Sequence, residues 1–138
     1  MTRRLLEEME RTIVEAGPET VAMIIAEPVG IICGIVPTTN PTATAIFKSL
    51  ISLKTRNALV ICPHPRAVRS TIEAARVVRD AAVQAGAPKD VISWIEKPSI
   101  ALSQGLMQHP DVNLVLATGG PVMLQAALRS GHPSLGVG

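Results

Sequence analysis

The stretch Glu27-Pro28-Val29-Gly30-Ile31-Ile32-Cys33-Gly34-Ile35-Val36-Pro37-Thr38-Thr39-Asn40, followed by Pro41, decides how this chain is read. An apolar run stops abruptly at Pro37. Three small polar residues follow, and a second proline stands where a helix can begin. Asn40 suits an N-cap and Pro41 the first helical position. This is the pattern of a strand that ends at a site. Gly30 and Gly34 punctuate the run, which predicts close approach of another backbone.

Downstream, the same strand–turn–helix unit recurs. The sequence predicts a helix from Pro41 to about Leu53, with Ala45, Ile46, Leu50 and Leu53 as its apolar face. A strand over 57–62 is ended by Pro63-His64-Pro65. A helix follows from about Ala67 to Ala85, with Val68, Ile72, Ala75, Val78 and Ala82 as its buried stripe. Gly86-Ala87-Pro88 terminates it. A strand over 91–95, a helix capped by Ser99 and running to about Met107, and a strand over 113–117 come next. Thr118-Gly119-Gly120-Pro121 ends that strand and opens a helix to about Ser130, and a last strand starts near His132. Upstream, 20–26 reads as a short strand. Residues 2–16 read as an amphipathic helix carrying Leu5, Leu6, Met9 and Ile13 on one face, stopped by Gly17-Pro18.

Alternation at these spacings fits βαβ crossovers. The expected fold is therefore α/β, a Rossmann-like parallel sheet with helices on both faces. It forms one domain over 1–138, with a helix over 1–17 ahead of an α/β core over 20–138. Hydrophobic residues make up 47% of the chain, yet it holds one Phe, one Trp and no Tyr, so the core must be aliphatic. That suits a buried parallel sheet.

Charge and composition narrow the function classes. A net charge of +2 is too small to imply a polyanion partner. Arg66, Arg69, Arg76 and Arg79 are interleaved with Glu73 and Asp80, and no aromatic residue is expected to stack near them, so they read as a solvated helix face rather than a nucleic-acid surface. Glu27 and Pro28 interrupt the most apolar stretch, which excludes a membrane span there. No signal peptide is visible. Cys33 and Cys62 lie inside apolar runs and read as free core thiols of a cytoplasmic protein. His109 and His132 precede prolines and lack metal-ligand spacing, so no metal is expected. The N-terminal helix is a candidate contact for a homo-oligomer.

In an open parallel sheet, ligands bind beyond the carboxyl ends of the strands. Three such ends stand out: Pro37-Thr38-Thr39-Asn40, Pro63-His64-Pro65 and Thr118-Gly119-Gly120-Pro121. Two lead directly into helix N-termini, whose free N–H groups favour phosphate. A nucleotide or dinucleotide site follows, although the chain has no Gly-x-Gly-x-x-Gly fingerprint. Each feature has a plainer reading: Asn40 as a helix cap, Gly119 and Gly120 as a tight turn, His64 as a rigid loop residue. Trp94, the lone tryptophan, is expected to report cofactor binding by its fluorescence.

Five linked motifs carry a resemblance. They are residues 27–42, Ile46-Phe47-Lys48-Ser49-Leu50 with its continuation to Ala58, Pro63-His64-Pro65-Arg66-Ala67, Gly86-Ala87-Pro88-Lys89-Asp90 and Leu116-Ala117-Thr118-Gly119-Gly120-Pro121. In order and spacing they resemble the CoA-acylating aldehyde dehydrogenases, in particular the aldehyde dehydrogenase half of the bifunctional aldehyde-alcohol dehydrogenases. The likeness covers about Ile25 to Gly138.

The resemblance implies the NAD-binding domain of the aldehyde dehydrogenase superfamily. The implied reaction takes an aldehyde, CoA and NAD to an acyl-CoA and NADH, with CoA as co-substrate. By the same resemblance, Ile35, Val36, Pro37, Thr38, Thr39 and Asn40 line the cofactor, and Asn40 is an oxyanion donor near the reacting carbonyl. Gly119, Gly120 and the Gly138 backbone lie by the dinucleotide, and Pro63 and His64 on its adenosine side. The family's nucleophilic cysteine lies in a later segment, and neither Cys33 nor Cys62 stands at its position. The chain is thus expected to be a truncated cofactor segment that cannot turn over aldehyde by itself. The alternatives are a related enzyme acting on sulfoacetaldehyde or a semialdehyde, and a non-catalytic nucleotide-binding or assembly module.

Overall fold

The computed structural model describes residues 29–138. The helix expected over 2–16 and the strand over 20–26 lie outside the described residues.

Five strands form one sheet: β1 (Ile31–Val36), β2 (Ala58–Pro63), β3 (Ile92–Trp94), β4 (Val112–Thr118) and β5 (Ser134–Val137). Their order is β3-β2-β1-β4-β5 and every pairing is parallel. Four α-helices connect them: α1 (Pro41–Lys54), α2 (Val68–Gln84), α3 (Ile100–Met107) and α4 (Pro121–Leu128). A 3₁₀ turn over Pro65–Ala67 leads into α2. The expected α/β architecture is present, and element ends shift from the expected positions by only one to a few residues.

Strand period two splits the core into two layers. Ile32 and Val36 of β1 join Leu59 and Ile61 of β2 under Ala45 of α1 and Ala74 and Ala75 of α2. On the other face, Cys33, Ile35, Cys62, Val115 and Ala117 pack with Met107 of α3 and Ala127 of α4. Both faces are covered, as an all-parallel sheet requires.

The inward face of α1 is only partly the expected one: Ala45 is buried and Leu53 packs on the core, but Ile46 and Leu50 turn outward. Its buried side chains are Ala45, Lys48, Ser49 and Ser52, whereas Ile46 and Leu50 are 38% and 54% exposed. The reason is size. Thr71, Ala74 and Ala75 of α2 are also small and buried, and two helices that press together over a sheet take their narrowest faces inward. The Ser49 and Ser52 hydroxyls are buried without a hydrogen-bond partner, so this orientation carries a polar cost.

Gly34 of β1 and Gly30 just before it also differ from the expectation, because the atoms nearest to both are side chains rather than backbone. A Cβ on Gly34 would lie 3.0 Å from Leu59 Cδ1, a tight contact, and 3.5 Å from Lys48 Cδ, an ordinary one, so it is Leu59 that Gly34 makes room for. A Cβ on Gly30 would lie 2.7 Å from Asn113 Oδ1. That amide oxygen accepts from Ile31 N–H at 2.8 Å where the β1–β4 register shifts, replacing a ladder bond at the irregularity.

Candidate nucleotide site

Strand order reverses direction between β1 and β4, and a ligand crevice is expected beyond the carboxyl ends there. The structure has a cavity of about 720 Å³ at that place. Ile35, Val36, Pro37, Thr38 and Thr39 line it from β1 and its turn. Pro63 and His64 line it from β2, Gly119 and Gly120 from the β4 turn, and Gly138 from the end of β5. Asn40 does not line it. Of the residues singled out for the cofactor, all but Asn40 thus share one cavity.

The helix starts around this cavity are not equivalent. Ser99 caps α3 by accepting from Leu102 N–H at 3.1 Å. Asn40 occupies the N-cap of α1 but makes no side-chain cap bond, and neither does Gly120 at the N-cap of α4. The reading of Asn40 as a side-chain cap is therefore incorrect. Its carbonyl accepts from Thr44 N–H and Thr44 Oγ1–H, and its carboxamide is left out of the helix. Both α1 and α4 begin with proline, so their positive ends open next to cavity residues without a side-chain acceptor in front of them.

Gly119 and Gly120 do not owe their identity to the turn. Neither has a positive φ; that of Gly120 is −67°. A Cβ on Gly120 would meet nothing within 4 Å, and one on Gly119 would make ordinary contact with Met123. The tight-turn reading fails because the fold tolerates a side chain at both positions. What a side chain there would occupy is space at the cavity.

His64 has a local job. Its Nδ1 accepts from Arg66 N–H at 3.1 Å, which holds the turn before α2 and fixes Nε2 as the protonated nitrogen in the neutral ring. Cys62 and Ser103 also line the cavity, with Sγ and Oγ 3.0 Å apart. The Ser103 hydroxyl donates to Ser99 C=O at 2.8 Å. Burial pushes the Cys62 thiol up, with the Ser103 hydrogen bond pulling against it. Cys33, fully buried, is pushed up to about 12, first by burial and then by Cys62, while Lys48 opposes the rise. Neither thiol is a ready nucleophile.

Lys48 escaped the sequence reading as a functional position. It is 2% exposed, and its Nζ donates to Ile35 C=O at 2.8 Å and to Leu116 C=O. Those carbonyls belong to β1 and β4, so one ammonium bridges the two strands beside the crevice. Burial lowers its pKa to about 8, with Cys33 acting in the opposite sense. The signal was a lysine in register with Ala45, Ser49 and Ser52 at i, i+3, i+4, i+7. Ser103 was equally visible, one turn after the cap Ser99.

Trp94 lies on β3, the edge strand away from the crevice, and does not line the cavity. The Arg79 guanidinium stands 4.6 Å from its ring centroid. The arginine helix does have an aromatic partner, and Trp94 is a poor reporter of the cavity. Among the described residues no helix is long and apolar enough to cross a membrane, and no group of three or more His, Cys, Asp or Glu could hold a metal.

Comparison with known proteins agrees with this geometry. Over 114 residues the chain is 68% identical to the bifunctional aldehyde-alcohol dehydrogenase AdhE of Escherichia coli K12, covering 83% of the chain and 13% of that protein. The structure of an acetylating aldehyde dehydrogenase from Geobacillus thermoglucosidasius superposes with a TM-score of 0.78 at 54% identity, over 82% of the chain and 25% of that enzyme. An engineered glycolyl-CoA reductase with bound NADP+ superposes with a TM-score of 0.74 at 36% identity, over 81% of the chain and 26% of that one. The chain thus spans a small part of the proteins it matches. The model of the aldehyde dehydrogenase family matches residues 1–132, and the chain belongs to that family.

Proposed function

We propose that the cavity at the carboxyl end of the sheet holds NAD, and that the chain is the cofactor-binding part of a CoA-acylating aldehyde dehydrogenase. The observation that carries this reading is the Gly119-Gly120 pair. Glycine stands where neither φ nor packing demands it, at an uncapped helix start, on the wall of the cavity. A pyrophosphate needs close approach to free backbone N–H groups and a positive helix end; Gly119 N–H is taken by Val137 C=O at 3.1 Å and Pro121 has none, so the α4 start offers its positive end and the N–H groups of Gly120 and Val122. Ile35, Val36 and Met123 give the cavity an apolar wall suited to a flat ring.

NAD, when bound, supplies the hydride acceptor. The chain's own residues hold and orient it. Thr38 and Thr39 offer hydroxyls at the α1 end, and His64, with Nε2 protonated, offers a donor at the β2 end. Asn40, its carboxamide uncommitted to the helix, is assigned as the donor to a developing oxyanion. Aldehyde and CoA are the assigned substrates of the whole enzyme. The nucleophile is not Cys33 or Cys62, since both are buried with raised pKa values.

Calorimetric titration of the chain with NAD tests the binding claim. Saturable one-to-one binding is expected, and no heat at millimolar NAD contradicts it. An assay of the isolated chain with acetaldehyde, CoA and NAD is expected to give no steady NADH. Turnover would contradict the assignment of the nucleophile.

A further inference from the structure

Among the described residues, Lys48 is the one Lys, Arg, Asp or Glu that the fold buries. Its Nζ donates to Ile35 C=O and to Leu116 C=O. Those bonds alone do not call for a charge. A neutral donor would serve the same carbonyls with less loss of hydration.

The charge has a use on the far side of Ile35, which lines the cavity. No Lys, Arg, Asp or Glu lines that cavity among the described residues. A pyrophosphate brings two negative charges into it, and a helix start supplies only about half a positive charge. The Lys48 ammonium stands directly behind this wall. Ile35 is two residues before Pro37 and Leu116 two before Thr118, so both of its acceptors lie just ahead of the turns that face each other across the crevice.

We propose that the Lys48 ammonium is the buried counter-charge of the cofactor's pyrophosphate, acting through β1 and β4 to hold the Pro37–Thr39 and Thr118–Gly120 turns about the anion. The inference rests on the NAD reading. Lys48 does not itself line the cavity, so it is a positioning residue.

The groups around Lys48 leave its proton as the one that responds. β1 presents Cys33, and β2 holds Cys62, which packs in the opposite core layer and acts on Cys33. α2 buries only the uncharged Thr71, Ala74 and Ala75, and β4 holds no titratable side chain. Cys33 keeps its proton to about 12, and burial raises the Cys62 thiol as well. Burial lowers Lys48 to about 8. An arriving anion favours the charged form, so binding draws a proton onto Lys48.

Calorimetric titration of the full chain with NAD at pH 7, 8 and 9, in two buffers of different ionisation heat, tests this. With the neutral form binding about tenfold more weakly, affinity falls about fivefold from pH 7 to pH 9, and each NAD takes up about 0.4 proton at pH 8. Lys48→Met is expected to bind more weakly, with a flat pH profile and no uptake. If Lys48→Met does not fold, the proton count of the wild type decides alone. Uptake that persists in Lys48→Met overturns the proposal. Wild-type binding without uptake and with constant affinity also overturns it, and leaves the NAD reading standing. No binding at any pH overturns both.

Discussion

Lys48 Nζ donates to the carbonyl of Ile35 at 2.8 Å, its stem passing beside Gly34 at ordinary contact distance. The bond joins α1 to β1, and the second bond, to Leu116 C=O, joins both to β4. The two strands that flank the crevice are thus tied by one buried cation. A buried ammonium is costly unless its donors are satisfied, and two carbonyls offset that cost here.

The pH dependence follows from the sign of the Lys48 shift. Its folded pKa of about 8 lies below the ordinary lysine value of 10.5, so between them the unfolded chain binds the extra proton. Stability then rises with pH through that window, by about 1 kcal/mol from pH 7 to 9. Cys33 acts oppositely above the ordinary thiol value of 9.0, because the folded thiol keeps its proton to about 12. Urea unfolding of the wild type should therefore show a maximum near pH 9. Lys48→Met should lack the rise and keep only the decline. A rise that survives in Lys48→Met contradicts the assignment.

The β1–β4 irregularity should behave as a coupled pair. Asn113→Ala leaves Ile31 N–H without its acceptor and is expected to cost about 1 kcal/mol. Gly30→Ala drives a Cβ into the Asn113 amide and should cost about the same by displacing it. The double variant should cost less than the sum of the two, since either change alone breaks the one bond. Full additivity in denaturant unfolding contradicts this.

Arg56 holds a φ of 57° just after α1, the left-handed position usually given to glycine. Arg56→Gly relieves the Cβ strain and keeps the carbonyl that Val29 uses. A gain of about 1 kcal/mol is expected in thermal unfolding. A loss of stability would show that the arginine side chain contributes more than its backbone costs.

Much of this was legible in the sequence, and the rest was not for definable reasons. Strand ends announced themselves because proline and glycine interrupt apolar runs, so Pro37, Pro63 and Gly119 marked the crevice before any coordinates. Ser99 read correctly as a cap because its hydroxyl has one nearby use. Ala45 and Leu53 of α1 face the core as their period implies, but Ile46 and Leu50 do not, because periodicity counts hydrophobicity while the packing of α1 on α2 selects small size. Lys48 was hidden by the same error, as its partners are carbonyls on strands 13 and 68 residues away. The Arg79–Trp94 contact joins α2 to the edge strand and leaves no local trace.

Thiol chemistry checks the assignment of the cysteines. The native chain is expected to show no reaction with an aromatic disulfide reagent at pH 7.5 over minutes, and two equivalents in guanidinium. Fast modification of one thiol in the folded chain would reopen Cys62, which lines the cavity, as a reactive group.

Gly120→Val tests the central claim most directly. Nothing lies within 4 Å of a Cβ at that position, so the fold should be retained, with a melting temperature close to that of the wild type. The added side chain takes the space in which a phosphate would meet the α4 start. NAD titration followed by amide shifts should move Thr38, Thr39, His64 and Gly119 in the wild type, and the variant should bind at least tenfold more weakly. Equal affinity in a folded Gly120→Val chain, or shifts confined to the β3 edge, would contradict a cofactor site at the carboxyl end of the sheet.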